Sequence, residues 1–165
     1  MRLLVLCILL LSSWNAMASS VEALHYDSGD DLSAAMKMAA SGMQAQSVRI
    51  KVISQNIANS QTTAKRPEDL PYQRKIVFFV NDVEADGKTE VIKVDYIDKD
   101  ASEFILKYEP MHPAADKAGY VKYPNVNPVL ESVDAKEAQR SFEANMYSYQ
   151  TSKEGRYKLI ELMAR

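Results

Sequence analysis

Thiols, imidazoles and any excess of charge of one sign are all scarce in this 165-residue chain, and each scarcity removes a class of function. The single cysteine, Cys7, sits inside an apolar run without a lipobox-like context, so the chain has no internal disulfide and no lipid attachment is expected. With two histidines beside it, the nitrogen and sulfur ligands of a transition-metal site are nearly missing. The 20 basic and 22 acidic residues are interspersed, giving a formal charge of -2. Phosphate binding needs a clustered basic surface, so nucleic acid is set aside as the main partner. There is no Gly-rich phosphate loop, no Gly-x-Ser-x-Gly elbow and no Ser, His, Asp set that spacing singles out. His112 and Asp116 could chelate a metal if they lay on a helix, but Pro110 and Pro113 oppose one there. No catalytic residue, metal, cofactor or small-molecule substrate is expected.

What is present is 47% apolar residue content with 25% charge, enough for one small core plus an extended helical pair. Residues 1–18 carry the pattern of a secretion signal. Arg2 is a short positive region, Leu3 to Leu11 is unbroken and apolar, and Ala16-Met17-Ala18 is a small-x-small cleavage pattern, so cleavage after Ala18 is expected. The apolar run falls well short of the roughly 20 residues that would span a bilayer. Residues 19–31, rich in Ser, Asp and Gly and without a sustained period, read as a flexible leader.

A helical period begins at Leu32. Leu32, Met36, Ala39, Met43, Gln46, Ile50, Ile53 and Ile57 alternate four and three apart, the seam of a helix that buries one narrow stripe. Residues 32–60 are therefore assigned to an N-terminal helix, with Asp30 or Asp31 as its cap. Gly42 costs such a helix about 1 kcal/mol against Ala and points to close approach of another backbone. Asn56 to Asn59 should unwind it, since Asn tolerates left-handed backbone and competes for its hydrogen bonds.

The middle, residues 61–127, has a strand period. Lys75 to Val80, Thr89 to Asp98, Glu103 to Tyr108 and Tyr120 to Tyr123 are strand candidates, with Asp86-Gly87 as a turn, giving an antiparallel sheet or half-barrel of three to five strands. Residues 128–165 return to a helical pattern. Ala135, Ala138, Phe142, Asn145, Tyr149, Ser152, Arg156, Leu159 and Met163 keep the alternation, with three polar members. Those polar positions either fix register inside a buried seam or face solvent, and the spacing alone leaves both open. Tyr147, Tyr149 and Tyr157 are interface anchors or ordinary helix-face residues. The fold class is thus α+β: long N- and C-terminal helices pairing as a coiled-coil-like domain, with a small antiparallel β domain inserted between them. A single such pair leaves apolar stripe uncovered, so association with further copies is expected.

Several segments carry a resemblance. Ala40-Ser-Gly-Met-Gln-Ala-Gln46, then Val52-Ile-Ser-Gln-Asn-Ile-Ala-Asn59 and Thr62-Thr63, resemble the N-terminal signature of bacterial flagellar rod and hook proteins. Tyr108-Glu-Pro-Met-His-Pro-Ala-Ala-Asp116, Gly119-Tyr-Val-Lys-Tyr-Pro-Asn-Val-Asn127 and Ala138-Gln-Arg-Ser-Phe-Glu-Ala-Asn145 narrow the resemblance to basal-body rod subunits. It runs from about Asp31 to Arg165. It implies a structural subunit of the proximal rod, periplasmic and exported, that polymerises with other rod subunits and copies of itself to transmit torque for motility. The implied assembly seams are Leu32, Met36, Ala39, Met43, Ile50, Ile53, Asn56, Ile57 and Asn59 on one side, and Ala138, Phe142, Asn145, Tyr149, Leu159 and Met163 on the other. Members of the family usually start near Asp31 and leave through the flagellar type III apparatus, whereas this chain has a Sec-like signal. Met111 and Pro128 also depart from the family's usual residues. The alternative reading is a free periplasmic adaptor that reuses the fold.

Overall fold

Two helices whose stripes cannot be satisfied alone bury them against one another. The computed structural model describes residues 2–165, with side chains from Asp30 onward. The element order is α1 (Arg2–Ala58), β1 (Lys75–Val83), β2 (Glu90–Lys99), β3 (Ile105–Tyr108), β4 (Tyr120–Tyr123) and α2 (Pro128–Met163). The cleavage residues Ala16 and Ala18, and the leader up to Gly29, lie outside the residues with described side chains. Asp30 and Asp31 stand inside α1 rather than at its start, so neither caps it.

The helices run antiparallel. Leu32 lies against Gly155, Gly42 beneath Asn145, and Asn56 against Glu131, so positions rise along α1 as they fall along α2. Small side chains let the backbones close up: Ala39 and Ala45 of α1 and Ala138 of α2 are buried. Val52 and Ile53 of α1 and Val91 of β2 complete this core, each contributing about 2 kcal/mol by leaving water. A second, smaller cluster of Ala114, Val121 and Val126 is also buried.

The strands form two separate antiparallel hairpins, β1 with β2 and β3 with β4, where the period suggested one sheet of three to five strands. The reason lies in residues 100–104. The Asp100 carbonyl accepts from the side chains of Gln73 (2.7 Å) and Asn125 (3.1 Å), and that of Ser102 accepts from Asn125 (3.2 Å), so this stretch is tied to side chains rather than to a ladder. The first hairpin turns at Asp86-Gly87, where Gly87 has φ 69°. Asp86 accepts from the backbone N–H groups of Thr89 and Lys88 and from the Thr89 hydroxyl; these bonds hold its carboxyl far below the usual carboxylate range. Gly119 has φ 84°, and a Cβ there would come within 2.8 Å of the Tyr108 ring, so glycine is required twice over. α2 opens with a cap that the sequence pattern left unnamed: the Asn127 side chain accepts from Val129 (3.0 Å) and Leu130 (3.4 Å), with Pro128 just inside. Among the described residues no helix is long and apolar enough to cross a membrane.

Candidate assembly site

The α1 seam residues all fall on packed positions. Ala39, Ile53 and Asn56 are buried, and Leu32, Met36, Met43, Ile50, Ile57 and Asn59 are half-buried. On α2, Ala138 is fully buried and Phe142, Asn145, Tyr149 and Leu159 are half-buried. Met163 stands apart, 71% exposed at the end of the helix. The stripe also shifts by one residue near that end: Gly155 is half-buried against Leu32, 3.5 Å from a Cβ built on it, and Arg156 is exposed.

Gly42 answers to Asn145. A Cβ on Gly42 would lie 2.7 Å from Asn145 Nδ2 and 2.9 Å from its Cγ, so the close approach is by a polar side chain rather than a backbone. One polar residue seated over one glycine defines a single longitudinal register for the two helices. Next to it, Gln46 Oε1 is buried without a hydrogen-bond partner among the described residues.

At the other end of the helix pair lies a polar junction. α1 ends at Ala58, inside the stretch Asn56 to Asn59 expected to unwind it, but Asn56 itself stays helical and is 1% exposed with every hydrogen-bonding capacity of its amide used. Its oxygen accepts from the Tyr72 hydroxyl (2.8 Å) and the Lys75 N–H (2.9 Å). Its nitrogen donates to the Lys75 carbonyl (2.9 Å) and to Glu131 Oε2 (3.0 Å). Glu131, also 1% exposed, is held through its other oxygen by Arg74 Nε at 2.6 Å. Arg74 reaches on to Asp100 at 3.2 Å, and its backbone N–H donates to the Asn125 side chain at 2.8 Å. Burial and then the Glu131 charge push the Tyr72 hydroxyl above its ordinary value. Burial lowers the Arg74 guanidinium, but its bonds to Glu131 and Asp100 outweigh this and hold it above its ordinary value. One side chain thus joins the end of α1, the entry to β1 and the first turn of α2. Tyr72, Arg74, Asp100, Asn125 and Glu131 carried no periodic signal; Glu131 alone could have been suspected, as an acid in the first turn of a helix.

His112 and Asp116 serve the loop backbone. His112 Nδ1 accepts from Ala114 N–H (3.1 Å) while Nε2 lies 3.4 Å from the Thr63 hydroxyl, and Asp116 accepts from Ala118 and Tyr120. Among the described residues no cluster of three or more His, Cys, Asp or Glu could hold a metal ion. The arrangement is one of packing surfaces and cross-braces.

Comparison with known proteins agrees with that character. Residues 36–64 match the flagella basal body rod protein family, and residues 117–162 match the flagellar basal body rod FlgEFG protein C-terminal family. The chain is 44% identical over 117 residues to the flagellar basal-body rod protein FlgC of Agrobacterium fabrum, covering 71% of this chain and 84% of that protein. It is 40% identical over 139 residues to FlgC of Borreliella burgdorferi, covering 74% and 91% of the two chains. FlgC of Bacillus subtilis is 35% identical over 142 residues, covering 77% and 95%. The two matched regions hold the Gly42–Asn145 contact and the Asn56–Glu131 bond, one residue of each pair in either region. The chain belongs to the FlgC family of flagellar basal-body rod proteins, and is a structural subunit of the bacterial flagellar basal body.

Proposed function

We propose that this subunit builds the proximal part of the rod within the periplasm, meeting copies of itself and other axial subunits along a helical path and carrying torque through the paired helices. The observation that carries this reading is the apolar surface a single chain leaves open. Val129, Leu130, Val133, Tyr147 and Ile160 of α2 are all exposed, although the helix already buries its seam against α1. Val129, Leu130 and Val133 lie close together on the first turns of α2, and a subunit flanked by neighbours has a use for such a surface. Repeated contact between unlike surfaces of successive subunits generates an open helical filament when the rotation per subunit does not close, the geometry a shaft needs. The seams described above hold each subunit straight, and the Sec-like segment ending at Ala18 delivers the chain across the inner membrane.

Phe142→Asp tests the assembly role. A carboxylate on the half-buried seam should abolish incorporation into rods while the β hairpins keep their fold, read by basal-body fractionation and by near-UV circular dichroism. Unimpaired motility with this variant would mean that the α2 seam is not an assembly surface.

A further inference from the structure

We propose that the free edge of β1 receives β3 of a neighbouring copy, so that the two hairpins of successive subunits join into one four-stranded sheet; this rests on the rod-subunit reading above. An isolated two-stranded hairpin is marginal in water, and this chain carries two of them. The edges of the first hairpin are unlike. β2 places Lys93, Asp95, Asp98 and Lys99 along its length, the charges that keep a strand from pairing further. From Ile76 to Val80 β1 carries no charge and no proline, and its apolar side chains Phe78, Phe79 and Val80 are exposed. Beside β1 lies a hollow of about 330 Å³, lined by Ile76, Val77 and Phe79 of the strand and walled across from it by Glu131 and Asp134 of α2.

The second hairpin supplies the matching edge. β4 is committed: Val121 is fully buried, the Tyr120 carbonyl accepts from Asp116 N–H, and the loop around Arg66 and Asp69 lies beside Tyr120 and Lys122. β3 is exposed at every position, with Leu106 61% and Ile105 46% open. Donor and acceptor are different surfaces of one chain. Two copies paired this way leave one free acceptor and one free donor, so the contact propagates head to tail, and backbone hydrogen bonds carry it as in other strand additions.

Cysteine pairing in basal bodies tests this, since a Cys7→Ser background removes the only native thiol. Cells would make a Val80→Cys chain together with a Leu106→Cys chain, and purified basal bodies would be oxidised. The expected product is a mixed covalent dimer, lost when Lys93→Cys replaces Val80→Cys. Both chains present in basal bodies without that dimer, or equal dimer with Lys93→Cys, would overturn the pairing. As a second reading, Val80→Lys should fold as a free subunit yet fail to incorporate, while Lys93→Val incorporates normally; normal incorporation of Val80→Lys would also overturn it. Absence of even the wild-type chain from basal bodies would instead overturn the rod-subunit reading.

Discussion

Asn56 ties three parts of this subunit together. It bonds to Tyr72, to both backbone groups of Lys75 and to Glu131, and none of those partners is on its own helix. Truncating it would leave the Lys75 amide and carbonyl and one oxygen of a buried carboxylate without partners. Unsatisfied buried groups cost about 1–3 kcal/mol each, so Asn56→Ala should destabilise the subunit by about 3 kcal/mol in a denaturant titration. A loss below about 1 kcal/mol would mean that water replaces the amide. Tyr72 gives the same junction a pH signature. Its hydroxyl is held above the ordinary tyrosine value of about 10, so the protonated form is favoured in the folded state. The corresponding stability is complete below the unfolded value and is lost as pH rises through the folded one. Tyr72→Phe should therefore flatten the alkaline limb of the stability profile above about pH 10, measured by thermal melts. None of this could be read from periodicity. Asn56 looked like a helix breaker because Asn so often is one, and what keeps it helical comes from residues 16 to 75 positions away.

Among the elements, the helix pair and the strands were legible and the division of the strands into two hairpins was not. The four-three spacing from Leu32 to Ile57 found the packed side of α1, because a seam is a local property of one helix, but it passed over Gly42, Ala45 and Val52, which are also buried there. On α2 the same rule chose Arg156, where the packed residue is Gly155; a glycine adds nothing to a hydrophobic count, although its missing side chain is what admits Leu32. The strand candidates were found, but their division into two hairpins depends on Gln73 and Asn125 capturing the carbonyls of residues 100 and 102. Register between the helices rests on Gly42 and Asn145, and a double-mutant cycle can isolate it. Gly42→Ala should destabilise the pair despite the roughly 1 kcal/mol of helix propensity it gains, because the new methyl meets Asn145. In an Asn145→Ala background the same change should become neutral or stabilising, a coupling of about 1 kcal/mol or more. Additive effects would show that Asn145 moves aside freely and does not set the register.

The whole molecule is a pair of helices cross-braced at one end by a polar junction and keyed near the middle by an asparagine over a glycine, with two unfinished hairpins and open apolar side chains outside. Such a body is arranged for neighbours. Its resemblance to rod subunits was legible because contiguous motifs carry it, in α1 and α2 and in the loops and strands between Tyr108 and Asn127. The middle of the chain gave strands without their pairing, because tertiary side-chain bonds decide it. The leader raised a question of route, Sec or the flagellar apparatus, that bears directly on the account. The most direct test is intact mass with N-terminal sequencing of the chain recovered from purified basal bodies and, separately, from soluble periplasm. The account predicts the chain in basal bodies, with Ser19 as its first residue. A chain confined to the soluble periplasm and missing from basal bodies would contradict it.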